Sequence, residues 1–203
     1  MTKPPEMLNQ KKNKSVWAIV CSAVCGVLAF LLVLFLLFDV FLNATCFVVE
    51  VSGSSMERTL SDGDRVYALK NAQAKRGDVI IIDVSEHRDV FTSGDLLIKR
   101  LIATEGDSVY CEDGVVYIRY AGESEFTPLA EKYVAGTTRE FGRVTVGEGE
   151  IFFLGDNRAV SHDSSTEGCF SKTEIVGVVP AWAISIKGFS TAWEGFRGSF
   201  AGA

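Results

Sequence analysis

Phe47-Val48-Val49-Glu50-Val51-Ser52-Gly53-Ser54 is the stretch that decides the fold. Five residues rich in β-branched and aromatic side chains run into a Ser-Gly pair. That pattern marks a short strand closed by a turn, not a helix. It recurs down the chain, at residues 66–69, 79–84, 96–103, 108–111, 115–118, 144–146, 151–154 and 175–186, the last interrupted by Pro180. Turn signals separate these runs: Ser61-Asp62-Gly63-Asp64, Arg76-Gly77-Asp78, Glu105-Gly106-Asp107, Asp113-Gly114 and Gly147-Glu148-Gly149. Asp113-Gly114 lies between two of them and predicts a hairpin over residues 108–120. Many short, evenly spaced strands imply a mainly β catalytic domain, an antiparallel sheet system or irregular barrel. Residues 121–142 are more polar and read as a loop or insertion. With the hairpin they set off a smaller subdomain at about 105–148. No internal repeat interrupts the pattern.

Upstream the reading changes. Residues 16–38, VWAIVCSAVCGVLAFLLVLFLLF, carry no charge. As a helix they span roughly 34 Å, enough to cross a bilayer with some tilt. The core of a cleaved signal peptide is shorter, about 7–15 residues. The sequence therefore divides into residues 1–15, a membrane-spanning helix at 16–42 and a β-rich region at 43–203. Lys3, Lys11, Lys12 and Lys14 against Glu6 give the first fifteen residues a net +3. This predicts a cytoplasmic N-terminus and an extracytoplasmic catalytic region in a single-pass protein of the cell membrane.

The total charge of −6 leaves −9 for the rest of the chain, which argues against nucleic acid as a partner. Cys21 and Cys25 fall inside the span. Cys46, Cys111 and Cys169 allow at most one disulfide and equally well stay unpaired. Two histidines are too few for a histidine-built zinc site, so neither metal nor cofactor is expected.

Two residues carry the chemistry. Ser55 follows the strand-and-turn segment, and Lys99 ends the apolar run Leu96-Leu97-Ile98. A serine hydroxyl needs a base, and a free lysine titrates near 10.4, too high to serve at neutral pH. Apolar surroundings disfavour the ammonium form and lower that value. The rival triad, Ser55 with His162 and Asp163, is weaker. Neighbours in an extended chain point to opposite sides, so Asp163 is poorly placed to orient His162.

Four segments resemble, in order, the motifs of type I signal peptidases, the S26-type family that uses a Ser/Lys dyad. Gly53-Ser54-Ser55-Met56-Glu57-Arg58-Thr59-Leu60 is similar to G-x-S-M-x-P-T-L. Arg76-Gly77-Asp78-Val79-Ile80 is similar to R-G-D-[IV]-[IV]. Ile98-Lys99-Arg100-Leu101-Ile102 with Gly106-Asp107 resembles K-R-[VI]-[IV]-[GA]-x-x-G-D. Gly155-Asp156-Asn157-Arg158 with Ser161, Asp163 and Ser164 resembles G-D-N-R-x-x-S-x-D-S. The single span makes the chain look like the Gram-positive members.

The resemblance implies Ser55 as acylating nucleophile, Lys99 as general base and Ser161 as the serine that orients the lysine amine. It implies the Ser55 N–H as an oxyanion donor, with Gly53 offering no side-chain donor, and Arg100, Asp156 and Asp163 in supporting places. Two positions depart from the family. Arg58 stands where it has proline. Ser165 stands where many members place an arginine that pairs with the residue matched by Asp163, leaving Arg158 and Arg58 as candidate partners for that carboxylate.

The implied activity is removal of signal peptides from secreted preproteins with small residues before the cut, at the membrane lipid surface and near the secretion translocon. The alternatives are a specialised maturase for pilus or conjugation proteins, or an inactive assembly chaperone. An extended peptide adding as a strand would meet Val49, Val51, Met56, Leu60, Leu97 and Ile98 as candidate pocket residues. Finally, Phe189, Trp193, Phe196 and Phe200 share one helical face near the C-terminus, as a packed tail or a foot on the bilayer.

Overall fold

The computed structural model describes residues 5–87 and 96–188, with side chains from residue 16 onward. The chain divides into two compact units, Met1–Thr45 and Cys46–Ala203. The first holds one helix, α1 (Pro5–Thr45). Its segment Val16–Thr45 is long and apolar enough to cross a membrane, and its large side chains from Val16 to Phe41 are exposed. A helix that is apolar all round needs an apolar surrounding, which lipid supplies. The helix runs past the uncharged stretch because its first polar residues bond back along it. Asn43 Nδ2 donates to the Asp39 carbonyl at 2.8 Å, and Thr45 Oγ1 to that of Phe41 at 2.8 Å.

The second unit is mainly β, as expected. In chain order its strands are β1 (Cys46–Glu50), β2 (Arg65–Leu69), β3 (Val79–Asp83), β4 (Leu96–Thr104), β5 (Ser108–Glu112) and β6 (Val115–Arg119). Then come β7 (Thr127–Pro128), β8 (Phe141–Thr145), β9 (Glu150–Leu154), β10 (Phe170–Ser171) and β11 (Ile175–Val179). Two short helices, α2 (Ser164–Glu167) and α3 (Ala181–Ser185), complete the described elements. The strands form two sheets, ordered β1-β2-β11-β3-β4-β9-β10 and β7-β6-β5-β8. All named pairs are antiparallel.

The most apolar runs sit at the centre. β3, Val-Ile-Ile-Ile-Asp, lies between β11 and β4, and its first four residues are buried. β9 is covered on both faces, which is why Ile151-Phe152-Phe153-Leu154 shows no polar alternation. Ile151 and Phe153 join one core with Ile80, Ile82, Leu101 and Val178. Phe152 and Leu154 face a second core with Val109, Val116 and Ile118. The hairpin at 108–120 forms around Asp113 and Gly114, with φ of 51° and 76°, the double left-handed turn that suits a two-residue loop.

The strand expected at 175–186 ends at Val179. Pro180 has no N–H for a ladder and instead caps α3. The two-residue strands β7 and β10 are too short to leave a period in the sequence. The aromatic tail at 189–200 lies outside the described residues. Among the described residues no cysteine forms a disulfide.

Candidate active site

Ser55 sits in a tight turn between β1 and β2. Glu57 N donates to the Ser54 carbonyl at 3.1 Å, and Leu60 N to that of Met56 at 2.8 Å. Met56 and Leu60 are fully buried and anchor this turn from below. Gly53 adopts φ 84° and donates its N–H to Asp62 Oδ1 at 2.7 Å.

Arg58 lies at φ 81°, in the left-handed region that ordinary side chains avoid. Its Nη1 donates to the Val134 carbonyl at 2.9 Å. The proline of the family motif, fixed near −65°, does not fit this conformation, so the departure at Arg58 is a different turn, not a looser one. Arg58→Pro is expected to destabilise the protein by more than about 1 kcal/mol, read as a fall in the denaturation midpoint. An unchanged midpoint would show that the turn can adopt the proline form.

Lys99 lies on β4, directly opposite Ile80 of β3. Opposed residues share a face, as do Leu97 and Leu101 two positions away, so the lysine stem rises from an apolar wall. Lys99 is only 4% exposed. Burial pushes its amine down from 10.5 to about 8, against the raising influence of Asp163 and Asp156. Its Nζ lies 2.7 Å from Ser55 Oγ, within reach for direct proton transfer.

Arg100, the next residue, points to the other face and locks the surrounding loops. Its Nε and Nη2 donate to the two oxygens of buried Asp156 at 2.8 and 2.5 Å, and its Nη1 to the Gly77 carbonyl at 2.7 Å. Thr59 Oγ1 donates to the same Asp156 carboxylate at 2.5 Å. The Tyr133 ring covers the guanidinium, 3.9 Å from its centroid. One ion pair thus ties together the turn after Ser55, the Arg76-Gly77-Asp78 turn, β4 and the loop after β9. Arg76 grips Asp107 in the same way, at 2.5 and 2.8 Å.

Asp163 takes neither arginine. Its Oδ2 accepts the Gly155 N–H at 2.9 Å, and its Oδ1 accepts from Ser165 Oγ at 2.7 Å and Ser165 N at 3.1 Å. The serine standing at the family's arginine position supplies the donors itself and lets Asp163 cap α2. Arg158 turns instead to Glu131 and donates to Thr138 Oγ1 at 2.7 Å.

The expected bond from Ser161 to the lysine is not formed. Ser161 Oγ is buried without a hydrogen-bond partner, packed over the Cα of Gly155, where a side chain would collide with it. The triad is not assembled either. His162 Nε2 pairs with Glu167 Oε1 at 2.5 Å, while Ser55 is engaged by Lys99.

A groove of about 570 Å³ opens in front of the pair, lined by Phe47–Glu50 and Ser52–Ser55 on one side, Leu96–Lys99 on the other, and Val160 and His162. Of the candidate pocket residues, Val49, Leu97 and Ile98 line it. Val51, Met56 and Leu60 belong to the core instead, at 2%, 0% and 0% exposure. They flank the nucleophile in sequence, but the turn needs their side chains inside. Both walls carry unpaired strand edge. β1 is the sheet's outer strand, and β9 pairs with β4 only from Arg100 onward.

Sequence reasoning missed the support from residues 131–138. Ala135 forms a parallel bridge with Asn157, and Glu131, Tyr133 and Val134 hold Arg158, Arg100 and Arg58. The segment carries no periodicity, so no local signal marks it.

A buried lysine beside a turn-borne serine, under a groove edged by open strands, defines a serine peptidase built on β-sheet. The family described as signal peptidase, peptidase S26, matches residues 22–183. Signal peptidase I of Bacillus licheniformis is 35% identical over 182 residues, 85% of this chain and 90% of its own length. Signal peptidase I T of Bacillus subtilis is 36% identical over 166 residues, 76% and 78%. A crystal structure of a signal peptidase I from Enterococcus faecalis is 27% identical, with a TM-score of 0.43 over 54% of this chain and 98% of that one. The chain belongs to the signal peptidase family, peptidase S26. It is a serine endopeptidase that removes signal peptides from secreted preproteins at a membrane.

Proposed function

We propose that Ser55 is the nucleophile and Lys99 the general base of this endopeptidase. The carrying observation is the 2.7 Å approach of Lys99 Nζ to Ser55 Oγ with the lysine buried in an apolar wall. The free amine takes the hydroxyl proton as Oγ attacks the scissile carbonyl. The Ser55 N–H receives the developing oxyanion, and the ammonium returns its proton to the departing amine. Lys99 then deprotonates the water that releases the acyl group. The signal peptide lies extended in the groove, bonded to the open edges of β1 and β4. Val49, Leu97 and Ile98 shape shallow pockets that admit small side chains before the cut. The helix α1 crosses the cytoplasmic membrane with its N-terminus inside. The catalytic unit works on the outer face near the translocon, and confinement to one surface raises the effective substrate concentration.

Preprotein processing by the full-length enzyme in detergent tests this reading. Ser55→Ala is expected to lower the rate by about 10³-fold or more. The wild-type rate is expected to fall as pH drops through about 8, because Lys99 then gains the proton that disables it as a base. Full activity in Ser55→Ala, or a profile flat down to about pH 5, would overturn the dyad.

A further inference from the structure

We infer that Asn157 is a positioning residue that aims the oxyanion-binding N–H of Ser55, an inference that rests on the Ser55–Lys99 reading. Asn157 grips the backbone on both sides of the nucleophile. Its side-chain Nδ2 donates to the Ser54 carbonyl at 3.1 Å, and its backbone N–H donates to the Ser55 carbonyl at 2.9 Å. The Ser54 carbonyl and the Ser55 N–H belong to one peptide plane. That peptide is trans, so the two groups point in opposite directions. Holding the carbonyl therefore fixes the direction of the N–H. Among the described residues no protein group accepts that N–H, which leaves it open to a developing negative charge. A carbonyl that accepts a hydrogen bond also polarises its own amide and strengthens the N–H as a donor.

Gly53 offers no side-chain donor here, so the oxyanion depends more heavily on this one amide. The turn around Ser55 is otherwise held from positions further along, by Thr59 to Asp156 and by Arg58 to Val134. The Ser54 carbonyl also accepts the Glu57 N–H at 3.1 Å from within the turn, and Asn157 is the side chain that holds that peptide bond from outside it. It is half-buried, and a bound substrate would exclude the water that competes with its amide. Because the interaction helps only where charge develops, its loss acts on the chemical step and not on substrate binding.

The test compares Asn157→Asp and Asn157→Ala with wild type, as full-length enzymes in detergent. Aspartate keeps the shape but turns an acceptor toward the Ser54 carbonyl. Both variants are expected to lose about 10- to 100-fold in kcat with KM within about twofold. The acid limb near pH 8 is retained, because Lys99 is untouched. A peptide boronic acid that bonds to Ser55 Oγ places an oxygen where the oxyanion forms. Its affinity is expected to fall by the same factor as kcat. Loss of the fold alone would show in the melting temperature and would weaken substrate binding equally. Wild-type kcat in both variants, a loss confined to KM, or an unchanged boronate affinity would overturn the inference. A wild-type enzyme that forms no boronate bond at Ser55 would overturn the dyad itself.

Discussion

Lys99→Met is expected to slow processing by about 10²-fold or more and, at neutral pH, to raise thermal stability. Both effects have one cause. Lys99 titrates in the folded protein near 8 instead of 10.5 because burial disfavours its charge. Below about pH 8 the lysine is protonated in both the folded and the unfolded chain, and only the folded chain bears the desolvation. The shift corresponds to about 3 kcal/mol of destabilisation. Between pH 8 and 10.5 the unfolded chain binds more protons than the folded one, so stability rises with pH across that window. Above it the contribution is gone.

Methionine fills the same channel between Leu97, Leu101 and Ile80 without a charge, so the variant should gain most at pH 7 and nothing near pH 11. Its rate should drop by about 10²–10⁴-fold, the worth of a positioned base. Lys99→Arg makes the contrast. The guanidinium stays protonated, so the rate is lost equally while the buried charge and its cost remain. Processing assays with melting curves from pH 6 to 11 check the pair. A methionine variant that melts below wild type at pH 7, or that cleaves within about tenfold of the wild-type rate, would refute the account.

This tension explains which parts of the site could be read from residues alone. β3 and β9 are legible because central strands need apolar side chains on both faces, and the chain supplies them in unbroken runs; β4 is legible from the apolar residues on either side of Lys99-Arg100. The Ser55–Lys99 pairing was legible through motifs, since strand register brings two distant segments together without leaving a local mark. What failed depended on burial. Met56 and Leu60 look like pocket residues beside a nucleophile, yet a turn this tight needs an apolar underside. Ser165 looked like a lost arginine. In the fold its hydroxyl and N–H serve the carboxylate that the arginine would have paired. The region after Pro180 carries strand-like residues, but a proline in the ladder position ends pairing whatever follows. The strap at 131–138 lies in polar sequence with no period, and its value comes wholly from the arginines it meets. Arg100 and Arg158 belong to the motifs and Arg58 departs from one, so these positions are legible while their partners are not.

Gly155→Ala is expected to lower stability by about 2 kcal/mol and activity by about 10²-fold, for reasons that the rest of the site makes specific. Gly155 follows β9 and donates its N–H to Asp163 at 2.9 Å, while its carbonyl accepts Arg158 Nε at 2.9 Å. It is therefore held at both ends by buried charged groups and cannot drift. A Cβ at this position would stand 2.6 Å from the Ser55 carbonyl and 2.6 Å from Ser161 Cβ. One neighbour is a small side chain that can be trimmed. The other is the backbone of the nucleophile, and Asn157 N is bonded to that same oxygen at 2.9 Å. Making room means moving Ser55 away from Lys99, and a displacement of about 1 Å at a reacting atom is enough to cost two orders of magnitude. Removing the serine side chain as well, in Gly155→Ala/Ser161→Gly, should recover part of the stability and none of the rate, because the collision with the Ser55 carbonyl persists. The acid limb should stay near pH 8, since the apolar wall around Lys99 is unchanged. Wild-type kcat in the single variant, or recovery of rate in the double variant, would mean that the loop after β9 yields without moving the serine.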